Sequence, residues 1–245
     1  MTSSDARLPG FTYLAIMGLL TSIGALATDI MLPALGVLGQ DLGVGNINHT
    51  TLVVMVFFLG MALGQLVVGP LSDAYGRKRV IIWGYALFIA GCGLSMLAGD
   101  WWLMVAARFL QGLGAAGPRV VSVAIVRDGY KGRAMARIMS IIMAIFILAP
   151  IVAPLMGQGL IYLGGWRATF AGLILVAVPS ALWFALAIPE TLPQHRRRGF
   201  EKFGFDHGGL VARARPLEAL RNGLVPLELG LGLRLGLRLG LSMTS

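Results

Sequence analysis

Two ionisable residues lie inside long apolar runs, and both bear on the movement of charge. Asp29 follows an uncharged stretch that begins at Phe11. A carboxylate at bilayer depth costs roughly 2.5–3.5 kcal/mol on insertion scales, so intramembrane acids mark proton or substrate paths. A carboxyl held there is a candidate proton carrier. The alternative is an aspartate at the outer helix end reaching lipid headgroups. Pro33 and the apolar continuation to Leu38 argue against it. Arg108 stands in a second apolar run. A guanidinium does not deprotonate in proteins, so in lipid it faces a cavity, meets a partner or snorkels outward. Asp29 is the expected partner.

Arg119 follows Arg108 by eleven residues, nearly three helical turns, which places both on one face about 16 Å apart. Gln111, Gly112 and Ala115 fall on or beside that face. The pattern predicts a polar stripe down an interior cavity, with interfacial snorkelling of Arg119 as the competing reading. A further run contains Ala149-Pro150 and Ala153-Pro154, followed by Gly157-Gln158. Prolines four apart share a face and free backbone carbonyls, while the small residues admit a close neighbour. Pro150 and Pro154 therefore mark a hinge or gate, or tight packing with kinks. Gly60-x-x-x-Gly64 reads as a packing face. Met55, Phe57, Phe58, Met143 and Phe146 either line a forgiving apolar site or face lipid and core.

The elements that position these residues follow from composition. The chain has 245 residues, 57% hydrophobic and 13% charged, with mean hydropathy +0.80. An average soluble domain carries about 25% charge, and a disordered chain carries little apolar sequence. Both are excluded in favour of an integral membrane protein. A helix crosses the bilayer core in about 20 residues. Six runs qualify: Phe11 to Leu38, Thr50 to Pro70, Val80 to Gly99, Trp101 to Val126, Ile138 to Leu163 and Ala168 to Ile188. The N-terminal run is too long for a signal peptide and has no clear cleavage site.

Net charge is +9. With the N-terminus inside, the inner segments carry Arg7, Arg77, Lys78, Arg79, Arg127, Lys131, Arg133, Arg137 and Arg196 to Arg198, whereas the outer loops carry Arg167 alone. That asymmetry is the positive-inside pattern. It accounts for the basic charge through anionic lipid and requires no nucleic acid. Trp101 and Trp102 beside Asp100 suit an interfacial turn. One cysteine, Cys92, and three scattered histidines leave no metal, redox or hydrolytic constellation, so no cofactor and no enzymatic activity are expected. Gly60, Gly64 and Gly76 echo Ala149, Ala153 and Gly165 at an offset of 89 residues. This faint repeat predicts two inverted three-helix units of the transporter kind.

Motifs sharpen the reading. Gly69-Pro-Leu-Ser-Asp73-Ala-Tyr-Gly76-Arg77-Lys78-Arg79, between the second and third spans, resembles motif A of the major facilitator superfamily (GxLxDxxGRKxx). Leu103-x4-Arg108-x2-Gln111-Gly112-x-Gly114-Ala115 resembles that superfamily's span-four motif. Thr28-Asp29-Ile-Met-Leu-Pro33, the Ala-Pro repeat, Gly165-Trp166-Arg167 and Pro189-Glu190-Thr191-Leu192 resemble its Bcr/CflA drug-resistance branch. The resemblance covers about residues 11–198. It implies the N-terminal six-helix half of a drug/proton antiporter in a bacterial inner membrane, with both termini cytoplasmic, exporting small, often lipophilic drugs. Asp29 and Arg108 would then serve proton coupling. Asp73, Arg77, Gly69 and Gly76 would gate the cytoplasmic side, with Asp128 as acidic partner of Arg77. Gln111, Arg119 and Gln158 would be polar groups of the cavity.

The expected organisation is an N-terminal segment 1–10, a transmembrane domain 11–190, a cytoplasmic linker 191–222 and a low-complexity tail 223–245. Leucine takes every odd position from Leu227 to Leu241, a period of two that excludes a seventh span. The tail is expected to be disordered or foreign to the family, as from a frameshift. A complete facilitator places substrate between two halves, so the partners expected are lipid, drug, protons and a second six-helix half or a second copy. The competing reading is an inactive membrane fragment or a half-transporter awaiting its partner.

Overall fold

A computed structural model describes residues 10–44 and 47–192. The regular elements among the described residues are all helical. In order they form α1 (Phe11–Asp29), a 3-10 turn (Leu32–Ala34), α2 (Leu35–Asp41), α3 (Ile47–Thr50), α4 (Leu52–Tyr75), α5 (Arg77–Leu97), α6 (Trp101–Gly129) and α7 (Gly132–Ala187). Five of these stretches are long and apolar enough to cross a membrane, α1 counting through to Asp41. The linker beyond Leu192, the 223–245 tail and most of the 1–10 segment lie outside the described residues.

Three boundaries differ from the sequence reading, each for a physical reason. Pro70 does not end α4, which runs on to Tyr75; within membranes, neighbouring helices and hydroxyl side chains re-satisfy backbone groups that proline frees. Arg77, Lys78 and Arg79 form the first turn of α5 instead of a loop. The helix starts there because Gly76 turns the chain at φ 103°, a region nearly closed to other residues. The last element, Gly132–Ala187, consists of two helices that meet at a kink, where the backbone leaves helical angles at Gly164 (φ −159°, ψ 24°) and Gly165 (φ 68°, ψ −165°). A break at that point divides it into 132–163 and 166–187.

Glycine sets the packing. A Cβ at Gly60 would run into Phe109 O and one at Gly112 into Phe57 O, so the backbones of α4 and α6 touch. On the other side of α6, a Cβ at Gly114 would meet Phe88 N, and one at Gly91 would come within 2.6 Å of Gln111 N. Thus α6 lies wedged between α4 and α5. Small residues give membrane helices this close approach, where dispersion has to hold them together. Gly60 and Gly64 are therefore packing residues. The α1 end nests on α7, where Gly157 meets Ile30 O and the Pro33 ring. Ala149 and Ala153 are buried while Pro150 is exposed and Pro154 half-buried, so the small residues, and not the prolines, carry the α7 contact.

At the end holding Asp41 and Arg167, the Trp166 indole donates to Asp41 Oδ2 at 2.8 Å. Arg167 donates to Met96 O and Ala98 O and stacks 4.1 Å from the Trp166 ring. These contacts tie α2, α5 and α7 together.

Candidate functional site

Arg108 is fully buried in α6. Its guanidinium lies 4.7 Å from the Phe57 ring of α4 and 5.8 Å from the Phe170 ring of α7. Its Nη1 donates to Gln111 Oε1 at 2.6 Å and to Ala27 O of α1 at 3.5 Å. Its Nε donates to Val53 O at 3.4 Å. Three helices thus converge on one cation, and Gln111 passes the network on by donating to Cys92 Sγ at 3.0 Å. The Nη2 group has no hydrogen-bond partner among the described residues.

Asp29 does not pair with Arg108. It is the last residue of α1, half-buried, and accepts a 3.5 Å hydrogen bond from Thr28 Oγ1. The cation reaches instead the carbonyl of Ala27, two residues earlier on the same helix. Apolar sequence between charges left an ion pair as the natural expectation, but the aromatic faces of Phe57 and Phe170 and three oxygen acceptors hold the guanidinium without a carboxylate.

The α4–α5 turn builds a second cluster. Arg77 Nη2 meets Asp73 Oδ1 at 2.7 Å, its Nε meets Asp128 Oδ2 of α6 at 3.2 Å, and its Nη1 donates to Ser72 Oγ at 2.5 Å. Gly69 O accepts from Ser72 Oγ at 2.8 Å. Glu190, beyond α7, caps the start of α5: its Oε1 accepts from the Arg77 backbone N–H at 2.9 Å and its Oε2 from Lys78 N–H at 3.3 Å. A carboxylate suits a helix N-terminus, where free N–H groups and the helix dipole meet it. The sequence reading did not assign Glu190 a role. Its Pro-Glu-Thr-Leu setting was visible, but nothing in the sequence pairs it with a turn 113 residues away.

Loss of this cap has a measurable cost. Glu190→Ala is expected to lower unfolding stability by about 1 kcal/mol, read by denaturation of the purified chain in maltoside detergent. Glu190→Gln, which keeps the acceptor oxygen and loses the charge, should fall between the two.

Behind the cluster a cavity of about 490 Å³ opens between α1, α4, α6 and α7. Thr21, Asp73, Arg77, Arg119, Arg127 and Phe146 are among its lining residues. Arg119 lies 5.4 Å from the Phe146 ring centroid. The expected stripe from Arg108 to Arg119 is therefore interrupted: Arg119 faces the cavity, whereas Arg108 is sealed in the helix core. Gln111 is buried with Arg108, and Gln158 is exposed on α7. Among the described residues no group of His, Cys, Asp and Glu is arranged to hold a metal.

The comparisons fit this architecture. Residues 17–240 match the Major Facilitator Superfamily. The chain belongs to the major facilitator superfamily. Similar superfamily proteins include the uncharacterized MFS-type transporter YdgK of Bacillus subtilis, 35% identical over 184 residues, covering 74% of this chain and 46% of that protein. The bicyclomycin resistance protein homolog of Haemophilus influenzae is 32% identical over 76% of this chain and 47% of its own length. Multidrug resistance protein D of Escherichia coli is 27% identical over 74% and 45%. These names agree with the drug-resistance branch that the motifs resemble. The chain spans about half the length of these relatives. Among solved facilitators, the human organic anion transporter MFSD10 superposes with a TM-score of 0.62 at 20% identity, over 78% of this chain and 50% of that one. A peptide transporter POT superposes at 0.65 and 15% identity, over 92% and 50%. Both likenesses show the fold. The protein is accordingly a multi-pass transporter-family membrane protein and not an enzyme.

Proposed function

We propose that this chain forms the proton-coupling half of a secondary transporter that exports small, often lipophilic drugs. The observation that carries the reading is the fully buried Arg108, whose guanidinium bonds the α1 backbone at Ala27, two residues from the carboxyl of Asp29. A permanent cation in the helix core couples electrostatically to any nearby acid, and it does so strongly where the dielectric is low. Protonation of Asp29 would then shift the balance between two conformations, which is what coupling requires. The bicyclomycin- and multidrug-resistance names of the relatives support the drug class.

In this scheme the break at Gly164–Gly165 separates a fifth and a sixth span, giving two inverted three-helix repeats. The basic α4–α5 turn faces the cytoplasm of a bacterial inner membrane, as do both termini. Gly69, Asp73, Gly76, Arg77 and Asp128 gate the cytoplasmic side. Gln111 positions Arg108, Arg119 and Gln158 supply cavity polarity, and Pro150 and Pro154 give α7 its hinge. A second half, or a second copy, forms the opposite wall of the cavity. The exposed apolar residues Leu66, Val67, Ile151 and Leu155 are available to that wall or to lipid.

The test is drug accumulation in an efflux-deficient bacterium expressing the chain, with and without a protonophore. Protonophore-sensitive export supports the proposal. Asp29→Asn should abolish it while leaving the protein in the membrane; unchanged export in that variant would remove Asp29 from the mechanism. Inserted protein with no export favours the second reading, a half-transporter that needs its partner half, for which the half-length match to the relatives speaks.

A further inference from the structure

We infer that the cavity beneath the Arg77 cluster is an oxyanion site, holding the carboxylate or phosphate of an anionic amphiphile between Arg119 and Arg127. The charges on its walls are unequally partnered. Arg77 is occupied on three sides, by Asp73, Asp128 and Ser72. Arg119 and Arg127 also line the cavity, and neither forms an ion pair with a described residue. They stand eight residues apart on α6, a little over two turns, so they leave the helix about 80° apart, and both reach the lining. Asp73, the carboxylate of the lining, is already engaged by Arg77. The cavity therefore presents two guanidinium groups with unused donors.

Geometry suits capture of an oxyanion. Phe146 lies 5.4 Å from the Arg119 guanidinium. A cation packed on a ring keeps its planar fork of N–H donors free at the edge, which is the surface that binds carboxylate and phosphate bidentately. The remaining wall is apolar, with Val120, Val123 and Met143. A volume of about 490 Å³ falls within the range of small-molecule sites, which combine apolar walls with a few placed polar groups. Charge at one end and hydrocarbon along the side select a ligand with an oxyanion head and an apolar body. Such a ligand is either an anionic solute from the aqueous phase or the headgroup of an anionic lipid from the adjoining leaflet. The inference concerns binding and does not rest on proton coupling or on export.

The experiment uses the purified full chain in maltoside detergent and the fluorescence of 11-(dansylamino)undecanoate. Arg119→Gln should weaken binding of this probe about tenfold, the loss of one charge-assisted contact. Arg127→Gln should weaken it less, and Arg119→Lys should recover part of the loss. Arg133→Gln, an exposed site outside the lining, should bind as the parent does. Helicity and a monodisperse gel-filtration peak check that each variant is folded. Octanoate and dihexanoylphosphatidylglycerol are the competitors, with octanol and dihexanoylphosphatidylcholine as their uncharged and zwitterionic controls. Displacement by octanoate alone supports the site and assigns it to a carboxylate solute. Displacement by the phosphatidylglycerol alone supports it and assigns a lipid headgroup. Undiminished probe binding in folded Arg119→Gln, or octanol competing as well as octanoate, would overturn it.

Discussion

Arg108→Met is expected to reduce protonophore-sensitive export to background, in whichever assembly exports, while the helical unit stays folded. The two effects separate because they have different physical origins. Methionine fills the space between the Phe57 and Phe170 rings with an apolar side chain of comparable length. Removing a buried charge recovers its desolvation cost, and that gain offsets much of what is lost in contacts. The remaining penalty falls on Gln111, whose carbonyl loses a 2.6 Å donor; an orphaned buried acceptor costs about 1–3 kcal/mol. The net change in unfolding free energy should stay below about 2 kcal/mol. Arg108→Lys makes the complementary test. It retains the charge but offers one ammonium where a fork spans Ala27 O and Gln111 on one nitrogen and Val53 O on another. Export should still fall by about tenfold or more, since lysine does not replace a multidentate arginine. Export at parental level in Arg108→Met would show that the cation has only a packing role.

The second large effect comes from a single methyl group. Gly112→Ala and Gly93→Ala are the same chemical change on two apolar helices, and their consequences should have opposite sign. A Cβ at Gly93 meets nothing within 4 Å, so alanine there gains only helix propensity, up to about 1 kcal/mol. A Cβ at Gly112 collides with Phe57 O and lies 3.0 Å from Met61 N. Both obstacles are backbone atoms of α4, with no rotamer to move. The helices must separate, and the interface loses contacts along its length. Overpacking typically costs about 1–3 kcal/mol, and a backbone clash belongs at or above the top of that range. The measurement is unfolding of both variants in the same detergent. Comparable stability of the two would mean that α4 and α6 are not in backbone contact.

Much of this architecture was legible in the sequence because lipid imposes strict demands on composition and length. The apolar runs, Gly60-x-x-x-Gly64 and the motif around Asp73 and Arg77 all read directly. What escaped was long-range or depended on the third dimension. Pro70 looked like a stop, yet the helix continues, since local propensity is overridden where neighbours satisfy the backbone. The basic triplet after Gly76 looked like a loop because its cap, Glu190, comes from the far end of the unit. Arg108 was recognisable as an intramembrane cation, but its aromatic seats, Phe57 and Phe170, are 51 and 62 residues away in the sequence. With those seats unseen, Asp29 was the natural but mistaken partner. The face shared by Arg108 and Arg119 was geometrically sound. It did not reveal that one would be sealed and the other open, because that depends on where α1, α4 and α7 lie.

The glycine contacts on both sides of α6 also limit how this unit can move. Where backbone sits directly against backbone, one helix cannot slide past another without riding over the opposing carbonyls, as meshed gear teeth cannot slip. Shear among α4, α5 and α6 is therefore blocked. Any large rearrangement must carry the three as one lever arm, leaving bending to the rest of the backbone: the step after Asp29, the proline pair Pro150 and Pro154 of α7, and the break at Gly164–Gly165.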